Sequence, residues 1–332
     1  MRGHAVALLL GALGCERGSS PQAAASSAQT SAPLVESASE LEPAAPVAPT
    51  RSAPPARESS PAERVRSAPL QNIVREGSGA LSAELSGGGR AQLLLATKSA
   101  PLAPGALAVH AAVAELVSPE TRVPTALRSV SSRELLAAAA EPGTRRWLAE
   151  NARILADGTI DVTVVLAPSR ALREVDISVL VEGQPAHGWE ARLQTRAPPP
   201  EGERSSLAAY QAVLAVDALV RNQERVQVAW DEGSGRLLAL RGNGAFSPGP
   251  TAGAVRDGQS RLSRHLFHSR RLRERLSRLE RQGLEDALRA PRGGLLITPK
   301  QLDELLARRD TLLRIIDRRG AQRGGKDTLV LP

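Results

Sequence analysis

The chain has 332 residues, a net charge of +8, a single cysteine and only 2% aromatic residues. This length accommodates an extension and about two domains, whereas a single cysteine excludes an intramolecular disulfide and any site made of several thiolates. The low aromatic content removes the stacking platforms on which single-stranded nucleic acids are bound, so nucleic acid is not an expected partner.

The chain opens with a positive charge followed by a short apolar run. Arg2 precedes the uncharged stretch 4–14, and the only cysteine, Cys15, comes directly after Gly14. The apolar run is much shorter than the roughly 20 residues that span a bilayer. It therefore predicts a cleaved export signal over residues 1–14.

The stretch Ala12-Leu13-Gly14-Cys15 resembles the lipobox of bacterial lipoproteins. The resemblance covers only these first residues, and it implies cleavage after Gly14 and lipid attachment at Cys15. Two or more acyl chains would hold the protein firmly on a membrane. Since Glu16 rather than an aspartate follows the cysteine, the family pattern favours the outer membrane, with the chain facing the periplasm. An ordinary signal peptide with an incidental cysteine is the alternative.

Residues 15–68 are rich in Ala, Ser and Pro and are predicted to form a disordered tether, because such a composition buries too little apolar surface to offset the ordering entropy. Residues 69–197 are predicted to form an antiparallel β-sandwich-like domain with a helical insertion. Its predicted strands are 91–97, 105–117, 157–166, 173–183 and 187–196, and its predicted helix is 131–143, which opens with a capping-box spacing.

The Pro-rich stretch 197–203 separates this domain from residues 198–332, a smaller α/β region. The patterns predict a helix at 206–223, a hairpin at 225–242 and two basic helices that form a C-terminal helical hairpin, at about 260–282 and 298–320. The last helix is the best specified, with Thr298 as cap, Pro299 at its first position and Gln301 completing the capping box. The predicted fold class is α+β.

The excess positive charge lies in the last quarter of the chain and is carried mostly by arginine. Four arginines of the first basic helix form a candidate face for an anion or a partner: Arg270, Arg271, Arg273 and Arg275. A plain solvated surface is the favoured interpretation, and an anion-binding face is the alternative.

No catalytic, cofactor or metal site is predicted. The HExxH, GxSxG, Walker A and SxxK motifs are absent from the sequence. His265 and His268 have a spacing that metal ligands use, but no third ligand is identifiable, and the pair is interpreted as an exposed polar turn. No cofactor is therefore expected.

These observations favour a non-enzymatic cell-envelope lipoprotein, anchored by its lipid, that binds a protein partner in the envelope or assists assembly. One alternative is a membrane-tethered periplasmic chaperone or inhibitor of a secreted enzyme. A second alternative is an envelope hydrolase with an unrecognised motif.

Overall fold

The computed structural model describes residues 60–77, 79–167, 172–174, 188–222, 228–231, 236–239, 245, 252–323 and 328–332. The predicted export signal, Cys15, nearly all of the predicted tether and most of the predicted strand 173–183 lie outside these residues. Residues 59–332 form one compact unit.

Within the residues that the structure describes, eight strands form two antiparallel sheets, one with the order β1-β2-β3-β5-β4 and a smaller one with the order β6-β7-β8. The strands are β1 (Leu70–Arg75), β2 (Leu81–Leu85), β3 (Arg90–Leu95), β4 (Thr125–Ser131), β5 (Thr159–Leu166), β6 (Arg173–Glu174), β7 (Val228–Asp231) and β8 (Arg236–Ala239).

Helices surround the large sheet and make up most of the C-terminal half. The helices are α1 (Pro61–Ser67), α2 (Ala103–Val117), α3 (Ser132–Ala138), α4 (Pro142–Asn151), α5 (Trp189–Gln194), α6 (Glu201–Val220), α7 (Ala252–Arg264), α8 (Arg270–Ser277), α9 (Arg281–Ala287) and α10 (Pro299–Arg323), with a short 3-10 helix at Pro119–Thr121 after α2.

The centre of the large sheet follows from the alternation in β5. Ile160, Val162 and Val164 are buried on one face, and the strand pairs with β3 so that Val164 lies opposite Leu93. Period-two apolar residues place every second side chain on the same face of a strand. We call the apolar cluster between this sheet and helices α1, α3 and α4 the sheet core; Val65, Leu135 and Leu148 are its buried helical members.

A second cluster, which we call the helical core, is centred on α6. Nearly every side chain of α6 from Leu207 to Val220 is buried, as expected for a helix surrounded by other elements. Leu262, Leu305 and Leu312 from the later helices pack into this cluster. Helix α2 joins the two regions, because it packs on the sheet while its valines belong to the helical core.

The predicted α+β class, with an antiparallel sheet ahead of a helical region, is confirmed. The layering of the sheet differs from the prediction. The large sheet is a single layer covered by helices rather than one half of a pair of packed sheets. The helix predicted at 206–223 and the paired strands of the predicted hairpin are present as α6, β7 and β8.

Two segments predicted as strands are helices. Residues 105–117 belong to α2 and residues 187–196 contain α5. Helix α2 is rich in alanine, which favours helices, and it contacts both the sheet and the helical core, so its apolar residues occupy more than one face. A helix buried on several sides lacks the 3.6-residue polar period by which a sequence reveals it.

The predicted helix 260–282 is broken, so three short helices rather than one arm of a hairpin precede α10. The break occurs because His268 N–H donates to the carbonyl of Thr328 at 2.8 Å and Arg270 N–H to that of Leu331 at 3.1 Å. These backbone bonds to the last residues replace the helical bonds that 265–270 would otherwise make. Tertiary pairing here overrides an apolar period that is helical.

Two further features bear on the organisation of the chain. Helix α1 has a complete capping box between Ser60 and Glu63 and lies inside the segment predicted as a tether. Trp189 belongs to the helical core, so this core begins before the Pro-rich stretch at which the sequence placed the domain boundary.

Among the described helices, none combines the length and the apolar character needed to cross a bilayer.

Candidate functional site

A buried polar contact joins α2 to the end of α6. His110 Nε2 lies 3.0 Å from Asp217 Oδ1, and the two side chains are only 8% and 9% exposed. Asn222 donates from Nδ2 to the same carboxylate oxygen at 2.9 Å. Asp217 therefore holds α2, α6 and the second residue beyond α6 in one arrangement.

Helix α6 ends just beyond Asp217, and the conformation of Arg221 terminates it. Arg221 adopts a left-handed conformation with φ of 56°, which is a common way to end a helix. The backbone N–H of Asn222 then bonds to the carbonyl of Asp217 at 2.9 Å. Residues 223–227, which include Glu224, lead on to β7 and lie outside the described residues.

Two arginines of the helical region reach across to the sheet region. Arg275 Nη1 contacts both carboxylate oxygens of Glu120, at 2.8 Å and 2.7 Å, and also the carbonyl of Val117 at 3.2 Å. On another side, Arg292 Nη2 lies 3.2 Å from Asp161 of β5. Both contacts are partly exposed ion pairs between distant parts of the chain, and they connect the helical region with the residues after α2 and with β5.

A second polar group lies inside the helical core. Tyr210 donates to Glu190 Oε1 at 2.6 Å, and His265 Nε2 lies 3.1 Å from Glu190 Oε2. The other ring nitrogen of His265 is 3.1 Å from Gln211 Nε2, which also donates to the carbonyl of Phe267 at 2.7 Å. A proton on His265 Nε2 satisfies all of these partners, since Nδ1 then accepts from Gln211.

This network shifts the pKa of its acidic groups. Burial raises the pKa of Glu190, but the hydrogen bonds that its carboxylate accepts from His265 and from the Tyr210 hydroxyl outweigh it and lower that pKa to about 2. Burial beside the Glu190 carboxylate raises the pKa of Tyr210 far above its usual range. Glu190 is thus held as a carboxylate inside the core, where it orients its neighbours.

His265 and His268 are fully buried, so their interpretation as an exposed turn is wrong. Neither ring nitrogen of His268 has a partner among the described residues, and burial, together with the nearby positive charge of Arg319, lowers the pKa of His268 to about 3. In the described part of the chain, no group of three or more metal-ligating side chains comes together.

The four arginines predicted to share one face are divided by the structure. Arg273 pairs with Asp317 at 2.6 Å and Arg275 with Glu120, whereas Arg270 and Arg271 are exposed and line a cavity. The other predicted site residue, Cys15, lies outside the described residues, and its lipidation stays a prediction.

Sequence reasoning missed both buried polar groups. One signal was available for Asp217, which is the only charged residue in the apolar stretch 207–220 of α6. A charge in such a stretch is rarely buried without a partner. No comparable signal marked Glu190, since its partners lie in distant parts of the chain.

The fold is similar to solved kinase structures. A crystal structure of the Golgi casein kinase matches with a TM-score of 0.59 at 12% identity, covering 81% of this chain and 76% of that chain. The Golgi casein kinase with Mn/ADP bound matches with a TM-score of 0.59 at 11% identity, over 81% and 78%. The structure of hydra Fam20 with sugar matches with a TM-score of 0.55 at 13% identity, over 80% and 90%. No protein-family model and no curated protein sequence matches the chain.

At these identities the likeness shows the fold, which is kinase-like across both regions. It contradicts the prediction that the chain is not an enzyme and the prediction of a non-enzymatic envelope lipoprotein, because solved structures that share this fold are described as those of a kinase. Both predictions relied on missing contiguous motifs. A kinase site is assembled from short elements that are far apart in sequence, so the missing motifs were a weak argument.

Proposed function

We propose that this chain is an enzyme of the kinase fold that acts on a phosphate-bearing substrate between its sheet region and its helical region. The observation that carries the proposal is the likeness to kinases over about four-fifths of the chain, which includes both regions. The contact between His110, Asp217 and Asn222 supports the location, because it lies where the two regions meet and leads into residues 223–227.

The residues do not reproduce the set with which protein kinases hold magnesium and ATP. That set includes a lysine on the third strand and a glutamate on the following helix. Strand β3 contains no lysine, and the nearby Lys98 donates to the carbonyl of Glu150 at 2.6 Å. The only acidic residue of α2, Glu115, pairs with Arg122.

The segment after β8 also differs from the corresponding segment of protein kinases. Protein kinases place a metal-binding aspartate in the stretch that follows the catalytic loop and its strands, whereas residues 240–251 contain no acidic side chain. We therefore name no residue of this chain as a ligand of a metal ion bound to the nucleotide. The carboxylate that the sequence supplies nearest to Asn222 is Glu224. We assign to it the acceptance of the proton from an acceptor hydroxyl, as the hydroxyl oxygen forms a bond to the phosphorus of the phosphate-bearing substrate and the bond from that phosphorus to the leaving group breaks.

In this proposal Asp217 and His110 are positioning residues, which act through Asn222. Their buried contact keeps Asn222 at the end of α6, so that the segment carrying Glu224 begins at a defined point. Preorganised groups of this kind raise the rate because the protein does not reorganise during the reaction.

The test uses the full chain with radiolabelled ATP, Mg²⁺ or Mn²⁺, and casein as a generic acceptor. We expect labelling of casein or of the chain itself, with a large loss in Glu224→Gln. The matched control is Glu141→Gln, which neutralises an exposed carboxylate on α4's N-terminal side. Absence of labelling together with absence of any nucleotide-dependent shift in Tm would overturn the proposal.

We also propose that the enzyme is exported and held on a membrane through Cys15, with an envelope protein as the acceptor it meets there. The support is the short apolar run and the lipobox-like residues before the cysteine. Cys15→Ser should abolish incorporation of a clickable fatty acid and release the protein from membranes. Equal labelling of both forms, or labelling of neither, contradicts the anchor.

A further inference from the structure

Residues 328–332 lie against the break between α7 and α8, and we call these five residues the strap. The N–H of His268 donates to the carbonyl of Thr328 at 2.8 Å, and the N–H of Arg270 donates to that of Leu331 at 3.1 Å. In the other direction, the N–H of Leu331 donates to the carbonyl of His268 at 3.4 Å. The strap and the break therefore run side by side in parallel, as two adjacent strands do.

The strap covers one side of the helical core. Thr328 is 0% exposed and Leu331 is 1% exposed. The hydroxyl of Thr328 donates to the carbonyl of Arg319 in α10 at 3.4 Å, and the hydroxyl of Ser269 donates to the main-chain oxygen of Pro332 at 2.6 Å. The strap thus connects the end of α10 with the start of α8.

Helix α6 holds the same break by contacts that do not involve the strap. The side-chain oxygen of Gln211 accepts from the N–H of Ser269 at 3.0 Å, and its Nε2 donates to the carbonyl of Phe267 at 2.7 Å. These bonds remain when the strap leaves, so the break keeps its place against α6. Opening of the strap is therefore a local event, of the kind that needs less free energy than unfolding of the whole core.

The imidazole of His268 is buried next to the strap, and among the described residues neither of its nitrogens has a hydrogen-bond partner. A protonated imidazole carries two N–H donors, and a buried charge without partners is costly. The strap bonds to both the N–H and the carbonyl of His268. Its release therefore admits water to this residue, and the protonated ring then finds partners.

The charged groups around His268 also oppose a proton on the closed form. Burial, together with the positive charge of Arg319, lowers the pKa of His268 to about 3. The ring of His265, 6.4 Å away between centroids, is neutral in the tautomer described above, and the Glu190 carboxylate lies on its far side. The remaining charged groups near the strap line a cavity of about 600 Å³ beside it: Glu201, Arg204, Arg270, Arg271, Glu274 and the terminal carboxylate of Pro332.

We propose that the strap is closed while His268 is neutral and opens when His268 binds a proton. A proton that binds the open form better than the closed form shifts the equilibrium towards the open form. Opening frees the N–H groups of His268 and Arg270, and it removes the wall that residues 329–332 supply to the cavity. The proposal is independent of the enzymatic activity proposed above.

The first experiment is native-state hydrogen exchange of the full chain between pH 7 and pH 4.5, corrected for the intrinsic exchange rate. The opening constant of the His268 and Arg270 amides should rise about tenfold for each pH unit below 6.5, because one proton is taken up on opening. His268→Leu removes no hydrogen bond of the ring and should make the opening constant independent of pH. Peptides from α6 should stay protected at pH values at which the strap is already open.

The second experiment loosens the strap without a change at His268. Leu331→Ala should raise the opening constant at pH 7 about a hundredfold. It should also raise the pKa of His268 towards its usual value of 6.5, because the open form is more populated. NMR of the full chain with ¹³C-labelled histidine measures this pKa. The matched control is Leu284→Ala, which removes a fully buried leucine of the helical core in α9 and should leave the pKa of His268 unchanged.

The unmodified chain tests the proposal even where a variant fails to fold, since an opening constant that does not change with pH overturns it. Loss of protection in the strap and in α6 at the same pH also overturns it, because the strap is then no separate unit. A third contrary result is an equal effect of Leu331→Ala and Leu284→Ala on the pKa of His268, which would assign that pKa to the helical core as a whole.

Discussion

The sheet core and the helical core are built on different chemistry. The sheet core consists of apolar side chains, and among the described residues it buries no ionisable group. The helical core encloses the network of Glu190, Tyr210, Gln211 and His265, with His268 beside it. An apolar core depends on volume and shape, whereas a buried polar network requires every partner to be present.

Because of this difference, we expect the two cores to respond differently to substitution and to a change of pH. The sheet core can lose a methyl group at a cost that depends on the cavity left behind. The helical core fails when one member of the network changes its protonation or is removed, because the remaining groups stay buried without partners. The helical core also adjoins His110 and Asp217, so the contact that organises the proposed site depends on it.

The largest expected effect is loss of the helical core in acid while the sheet core persists. Because the pKa of His268 is lowered from 6.5 to about 3, its contribution to stability is complete above pH 6.5 and is lost as the pH falls towards 3. The lowered pKa of Glu190 adds a second loss, between 4.5 and about 2. Both lowered pKa values therefore favour unfolding at low pH.

Pulsed hydrogen exchange from pH 7 to pH 3, corrected for the intrinsic exchange rate, measures this difference. Peptides from α6 should lose protection at a higher pH than peptides from β5. His268→Leu serves as the control and should move the transition of α6 to lower pH. Simultaneous loss of protection in both peptides would show that the two cores unfold as one unit.

Removal of the central carboxylate is expected to destabilise the protein strongly. Glu190→Ala leaves the Tyr210 hydroxyl and His265 Nε2 without their acceptor, at a cost of about 3 kcal/mol in the free energy of unfolding. Urea denaturation at pH 7 measures the change. The exposed glutamate at position 141 provides the comparison, since Glu141→Ala should change stability by less than about 0.5 kcal/mol.

A cavity in the sheet core should lower the free energy of unfolding by a similar amount, with a different pH dependence. Leu148→Ala removes a fully buried side chain and is expected to lower the free energy of unfolding by about 2–5 kcal/mol. Because no ionisable group of the sheet core is involved, the loss should be equal at pH 5 and pH 7. A loss that grows as the pH falls would remove the distinction between the two cores.

The smallest effect is expected at the start of α10. Thr298→Ala removes the hydroxyl that accepts from the N–H of Gln301 at 3.2 Å and should cost about 1 kcal/mol. Thr298→Ser keeps the hydroxyl and should restore most of the stability. Thermal unfolding of the three forms measures this, and an equal Tm for the alanine and serine variants would exclude a capping role.

Local patterns made several elements predictable. The alternation of β5 and the capping box of α10, whose Thr298 N–H donates to Gln301 Oε1 at 2.8 Å, lie where the sequence placed them. Their determinants are residues within a few positions of each other, so the local sequence contains all the information needed. The site was not predictable in the same way, because His110 and Asp217 are 107 positions apart.

The sequence by itself determined the mixed class, the central strand, the long helix α6 and the start of α10, since strand period, helix period and caps are short-range properties. Long-range contacts were needed to identify residues 105–117 as a helix, because that segment is apolar on several sides and its partners are a sheet and a distant helix. The tertiary structure also separated Arg273 and Arg275, which pair with distant carboxylates, from Arg270 and Arg271, which line a cavity. Neighbours on one helix acquired different roles because their partners were supplied by other parts of the fold.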